Sequence, residues 1–129
     1  MRRIISTLSV GALALLGTVA TTGTAQAAPL DDCKATNVPI GLHLCLFYNS
    51  NYGGSWVQTA YNVSNFSGWV FPNGQPVKNN TASAYNTTAS CGRLYYNSNY
   101  AGPSDLIPAR SGLSRLVNTY NDNASFAWC

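Results

Sequence analysis

The chain contains no glutamate; its four carboxylates are Asp31, Asp32, Asp105 and Asp122. It has a single histidine, His43, and charged residues make up only 9% of it, too few for a strongly charged face of either sign. Glycosidic cleavage by paired carboxylates has little material here, because two of the four acids are adjacent near the start. Nucleophilic catalysis needs a base close to the nucleophile. No nucleophile motif accompanies His43, which reads as a strand-entry histidine two residues before Cys45. The chain is therefore not expected to be an enzyme. There is no CxxC pair either, so a zinc site at His43 would have to compete with disulfides for the cysteines. Long helices are excluded by the missing glutamate and the scarcity of lysine and alanine runs. Only Asn62–Phe66 and Ser111–Leu116 read as single helical turns.

What is present begins with a leader. Arg2 and Arg3 precede an uncharged apolar stretch from Ile4 to Ala20, and Ala25-Gln26-Ala27 supplies a small-x-small cleavage site. Ser9, Gly11, Gly17 and Thr18 interrupt the stretch and no stop-transfer cluster follows, which argues against a membrane anchor. The expectation is a secretory signal peptide over residues 1–27 and one domain over residues 28–129, secreted and monomeric, with no membrane partner once the leader is gone. Without the leader, Lys34, Lys78, Arg93, Arg110 and Arg115 face four aspartates, so a net charge of +3 becomes +1. Such a chain has no basic face for phosphates, and nucleic acid is not an expected partner. Cys33, Cys45, Cys91 and Cys129 all lie beyond the leader; an even count in an exported chain reads as two disulfides. Three pairings are open.

The strongest internal signal is a duplication. Tyr48-Asn49-Ser50-Asn51-Tyr52-Gly53-Gly54 recurs as Tyr96-Asn97-Ser98-Asn99-Tyr100-Ala101-Gly102, 48 residues on. Asn79-Asn80-Thr81-Ala82-Ser83 is echoed by Asn121-Asp122-Asn123-Ala124-Ser125, 42 residues on. Two units, about 44–90 and 92–129, fill the domain. They favour the pairs Cys33–Cys45 and Cys91–Cys129, one at the entrance of each unit. Leu44–Tyr48 and Arg93–Tyr96 are short aliphatic and aromatic runs followed by turn clusters, with Ser55–Thr59, Tyr85 and Phe126–Trp128 as further strands. The fold class is all-β, a sandwich of two Greek-key motifs braced by disulfides. Asn-x-Ser/Thr sequons at Asn62, Asn65, Asn79, Asn86 and Asn123 matter only in a host that glycosylates exported chains.

The spacing Phe47-x4-Tyr52-x-Gly54, repeated as Tyr95-x4-Tyr100-x-Gly102, resembles the folded hairpin of βγ-crystallin motifs. Asn79-Asn80-x-x-Ser83 and Asn121-Asp122-x-x-Ser125 resemble the calcium motif of that superfamily, with Ala84 and Phe126 where a final serine is expected. More narrowly, the chain is similar to small secreted actinobacterial proteins grouped with a metalloproteinase inhibitor of βγ-crystallin fold. The resemblance implies a secreted inhibitor of an extracellular peptidase, most plausibly a metallopeptidase, that needs no cofactor. It also implies a weak calcium site at Asn79, Asn80, Ser83, Asn121, Asp122 and Ser125, set against their plainer reading as turns.

An inhibitor needs a rigid exposed segment. Two loops are candidates: Trp69, Val70 and Phe71 in a proline-braced stretch where the first unit carries six extra residues, and Leu106, Ile107 and Arg110 in the stretch Pro103–Ser111. The rival readings are a calcium-stabilised structural or envelope-associated module, and a small toxin or carbohydrate binder using Trp56, Trp69 and the tyrosines.

Overall fold

The folded hairpin sets the architecture. Asn51 and Tyr52 both take left-handed backbone angles (φ 59° and 57°), as do Asn99 and Tyr100 (59° and 60°). A tyrosine pays a steric penalty there, and what holds it is packing: Tyr52 sits edge-on to Phe47 at 5.7 Å, and Tyr100 lies 6.1 Å from Tyr95. Burial, and then the neighbouring Tyr85, raise the Tyr52 phenol above its ordinary range. Gly54 and Gly102 follow at φ 75° and 84°. A Cβ at either would lie 2.5 or 2.6 Å from the amide of Asn49 or Asn97, so each hairpin closes over its own asparagine.

The computed structural model describes residues 29–35 and 42–129, and the expected leader at residues 1–27 lies outside them. A short helix, α1 (Pro29–Ala35), precedes seven strands: β1 (Leu44–Asn49), β2 (Gly53–Thr59), β3 (Ser83–Asn86), β4 (Gly92–Asn97), β5 (Ala101–Ile107), β6 (Ser111–Leu113) and β7 (Ser125–Trp128). They form two antiparallel sheets, ordered β2-β1-β3-β6 and β5-β4-β7. Residues in α1 went unrecognised in the sequence, although Pro29 opens it, Asp31 and Asp32 fill its first turn and Lys34 its last, as the helix dipole favours.

The two helical turns expected at Asn62–Phe66 and Ser111–Leu116 are not helical. Ser111–Leu113 is strand β6, which belongs by sequence to the second unit but pairs with β3 of the first. Val63 of the first unit bridges Phe126 in β7 of the second. The second unit thus lends a strand to the first sheet, and the first returns a single bridging residue to the second. The backbone repeats the exchange: Leu116 N–H donates to Ala82 O and Phe66 N–H to Ala124 O, both at 2.9 Å. Asn79 N–H donates to Asn123 O at 2.8 Å and Asn121 N–H to Thr81 O at 2.9 Å, relating the two asparagine loops by an approximate two-fold axis.

Between the sheets Leu44, Leu46, Phe66, Phe71, Val77, Leu94, Ile107, Leu116 and Phe126 form the main core. The outer face of the first sheet is also covered. There Cys45 and Phe47 pack with Cys33 under α1, joined by Leu30, Tyr52, Trp56 and Tyr85. The disulfides are Cys33–Cys45, which ties α1 to β1, and Cys91–Cys129, which ties the start of β4 to the end of the chain. His43 is buried beside the first of them, its Nε2 2.9 Å from Cys33 O.

The insertion in the first unit is larger than the net difference of six residues. Phe66 to Asn79 spans 13 positions and the equivalent Leu116 to Asn121 only five, while the second unit has two extra residues before its exchanged strand. The additional chain in the first unit folds as a small hairpin. Val77 N–H donates to Trp69 O and Phe71 N–H to Gln75 O, Val70 bridges Pro76, and Asn73 N–H reaches Ser55 Oγ on β2.

Candidate functional site

β3 ends at Asn86 and β4 begins at Gly92, so Thr87–Cys91 carries the chain from one sheet to the other. Ala89 and Ser90 stand exposed at the tip, while Asn86 beneath them is fully buried. A buried amide must find partners, and Asn86 uses both ends. Its Nδ2 donates to Ser90 O at 2.7 Å and Ile107 O at 3.2 Å. Its Oδ1 accepts from Thr88 N–H at 2.9 Å and lies 2.8 Å from Thr88 Oγ1. Ser90 N–H donates to Thr88 Oγ1 at 3.1 Å.

The flanks are fastened as well. Thr87 N–H and Oγ1 both donate to His43 O, Arg110 N–H donates to Thr88 O, and Cys129 N–H donates to Cys91 O. The Cys91–Cys129 bond closes the C-terminal side. Two exposed residues are therefore held by a framework that leaves the backbone around them little freedom. This arrangement escaped the sequence reading, where Asn86-Thr87-Thr88 was visible only as a sequon. The signal that could have found it is the run of turn-forming Asn and Thr ending on a cysteine between two repeat units.

The loops singled out from sequence are placed differently. Phe71 is 1% exposed and packs edge-on against Tyr48 at 5.7 Å; Ile107 is fully buried. Both are core residues, because a short loop on a small sandwich lowers its free energy by folding its apolar side chains inward. As contacts for a partner they are corrected accordingly. Trp69 is partly buried against Phe66. Val70 is 55% exposed beside β2, Leu106 is 42% exposed on β5, and Arg110 is exposed at φ 51° next to β6. The hairpin carrying Val70 is tied to β2 through Asn73 and Ser55, while Leu106 and Arg110 flank the β5–β6 connection at the opposite edge of that sheet, so the three side chains do not form one surface.

The calcium candidates form two hydrogen-bonded turns. Ser83 Oγ donates to Asn49 O at 2.6 Å and accepts from Tyr52 N–H at 3.0 Å; Ser125 Oγ does the same for Asn97 O and Tyr100 N–H. Both serines are fully buried. Asn80 Nδ2 reaches Lys78 O, and Asn79 and Asn121 are left-handed turn residues at φ 64° and 54°. A cleft of about 260 Å³ does open beside Asn79, Asn97, Ser98 and Asp122, but Lys78 lines it too. Calcium takes six to eight oxygens and gains affinity from carboxylates. With one aspartate, one ammonium group and both serine hydroxyls committed to the hairpins, these residues do not fit the ion. Cys33, His43 and Cys45 converge with ligand atoms within 4.8 Å of one another, but the two sulfurs are bonded to each other.

The model of peptidase inhibitor family I36 matches residues 26–107. No curated protein matches the chain. Among solved structures, one described under the evolution of the eye-lens βγ-crystallin domain fold is 15% identical, with a TM-score of 0.60 over 74% of this chain and 92% of its own. A βγ-crystallin from Ciona intestinalis is 13% identical, with a TM-score of 0.56 over 67% of this chain and 99% of its own. A βγ-crystallin domain from Flavobacterium johnsoniae is 20% identical, with a TM-score of 0.54 over 67% and 92%. At these identities the likeness is one of fold.

Proposed function

We propose that this chain, which belongs to peptidase inhibitor family I36, inhibits an extracellular metallopeptidase by seating the Thr87–Cys91 loop in the enzyme's substrate cleft. Membership makes it a peptidase inhibitor and not an enzyme, with a peptidase as its partner. The observation that carries the loop assignment is the buried Asn86 amide bonded on both sides of the exposed Ala89-Ser90 tip. Immobilising a flexible segment costs about 0.5–1.5 kcal/mol per ordered side chain, and a segment already fixed avoids most of that cost. The same framework would keep the two ends in register if a bond in the loop were cut, favouring resealing over release.

The metallopeptidase class rests on the resemblance read from the sequence. The loop agrees with it in one respect: Thr87–Cys91 has no lysine or arginine for the acidic specificity pocket of a trypsin-like enzyme. No calcium step enters this reading.

The test is a titration of a thermolysin-like metallopeptidase and a trypsin-like serine peptidase with the secreted protein. Stoichiometric slowing of the first and none of the second is expected. Ala89→Asp, at an exposed tip, should leave the melting temperature unchanged and weaken inhibition at least about tenfold, equivalent to roughly 1.4 kcal/mol. Val70→Ala and Leu106→Ala should leave inhibition near wild type. If Ala89→Asp inhibits as well as wild type while Val70→Ala or Leu106→Ala does not, the loop assignment is wrong; if no metallopeptidase is slowed, the class is.

A further inference from the structure

Beside the proposed loop lies a cleft of about 210 Å³, lined by Leu42, Ala60, Thr88, Ser90 and Trp128. We infer that this cleft receives an apolar side chain from the rim of the inhibited peptidase, giving the complex a second anchor next to the loop. The inference rests on the loop reading above, and the geometry supplies the link. Thr88 and Ser90 form one wall of the cleft and are also the framework of the tip, so an enzyme closed over Ala89 also closes over the cleft mouth.

Size and lining decide what it takes. Pockets for drug-sized ligands run to about 300–1,000 Å³; this one is smaller and suits a single side chain. No charged residue lines it. Two of its three side-chain polar groups are already engaged, leaving the Ser90 hydroxyl: Trp128 Nε1–H donates to Ala60 O at 2.9 Å, and Thr88 Oγ1 lies 2.8 Å from Asn86 Oδ1 and 2.9 Å from Ser90 O. A polar guest would gain few hydrogen bonds and an apolar one loses none.

The walls are also fixed in advance. Trp128 stands edge-on to Phe126 at 4.8 Å, and its backbone N–H donates to Asn62 Oδ1 at 2.8 Å. In the lining Leu42 is 56% exposed, and Tyr61, the chain neighbour of the lining residue Ala60, is 79% exposed. Single exposed apolar residues need no explanation. Here a rigid tryptophan and an exposed leucine line one concavity adjoining the loop, and tryptophan is among the residues that most often anchor binding hot spots.

The experiment uses one lining residue and one residue beside the lining, both exposed enough to be dispensable to folding. Leu42→Asp and Tyr61→Ala are compared with Ala89→Asp and wild type for dissociation rate from whichever metallopeptidase the wild-type protein inhibits, with melting temperature as the folding control. Leu42→Asp is expected to melt as wild type and dissociate about tenfold faster or more, and Tyr61→Ala less so. Leu42→Asp dissociating at the wild-type rate, with Ala89→Asp impaired, overturns the cleft and leaves the loop reading standing. Ala89→Asp binding as wild type instead overturns the loop reading, and the anchor argued from it falls too.

Discussion

At the scale of single residues, two buried serines hold the hairpins that define the fold. Ser83 and Ser125 each give a proton to an asparagine carbonyl and take one from a left-handed tyrosine amide, in sequence neighbourhoods 25 to 34 residues away. Replacing either with alanine takes that partner from a carbonyl and an amide in partly buried bonds, a loss of about 1–3 kcal/mol. Denaturant unfolding of Ser83→Ala and Ser125→Ala should show lower midpoints with unchanged slopes, of similar size in the two halves because the geometry repeats. Both serines were legible in the sequence as the ends of an Asn/Asp-rich motif. Their work was not, since a hydroxyl committed to a distant hairpin leaves no trace in local spacing. The same holds for Phe71 and Ile107: composition marked them as apolar loop residues, and only packing decides whether such a side chain faces water or the core.

At the scale of elements, the strands with strong aliphatic and aromatic patterning were readable, and the exchanged ones were not. Ser111–Leu113 and Val63 carry weak strand signals, and what makes them extended is the partner each borrows from the other unit. Propensity loses to tertiary pairing at such short segments. The connection after β6 is set by one acid. Asp105, buried on β5, accepts from the N–H groups of Val117, Asn118 and Thr119 and from Thr119 Oγ1, at 2.7–3.1 Å. Asp105→Ala removes the acceptor of three amides at once and should cost about 3 kcal/mol. Faster hydrogen exchange at residues 117–119, with β1 and β2 still protected, would be the signature of this role. Exchange unchanged at those amides would refute it. In the sequence this aspartate stands out only as one of four carboxylates, because four hydrogen bonds from a loop 12 to 14 residues away follow from the fold.

At the scale of the whole molecule, the duplication made the sandwich and its two-unit plan legible, since a repeated hairpin signature is long enough to be unambiguous. The disulfides divide the labour unevenly. Cys33–Cys45 closes a separation of 12 residues and secures only α1 against the outer sheet face, whereas Cys91–Cys129 closes 38 and ties both ends of the second unit together. In the chain-entropy picture these contribute about 3 and about 4 kcal/mol. The functional contrast should be sharper. The double variant Cys33→Ser/Cys45→Ser is expected to melt lower yet inhibit nearly as wild type. Cys91→Ser/Cys129→Ser should lose inhibition even at temperatures where it stays folded, because Cys91 closes the proposed loop. Inhibition and melting temperature measured on both variants separate the two roles; equal loss of inhibition in both would contradict the division.

The crossing of strands between the units has a consequence for survival. Opening the second unit strips β6 from the first sheet, and opening the first removes the Val63 bridge and the Phe66 hydrogen bond from the second, so neither half keeps its contacts whole. Partial unfolding, the usual doorway for proteolytic attack, is thereby pushed toward an all-or-nothing event. A chain that lives among the enzymes it restrains gains from having no loose half to lose.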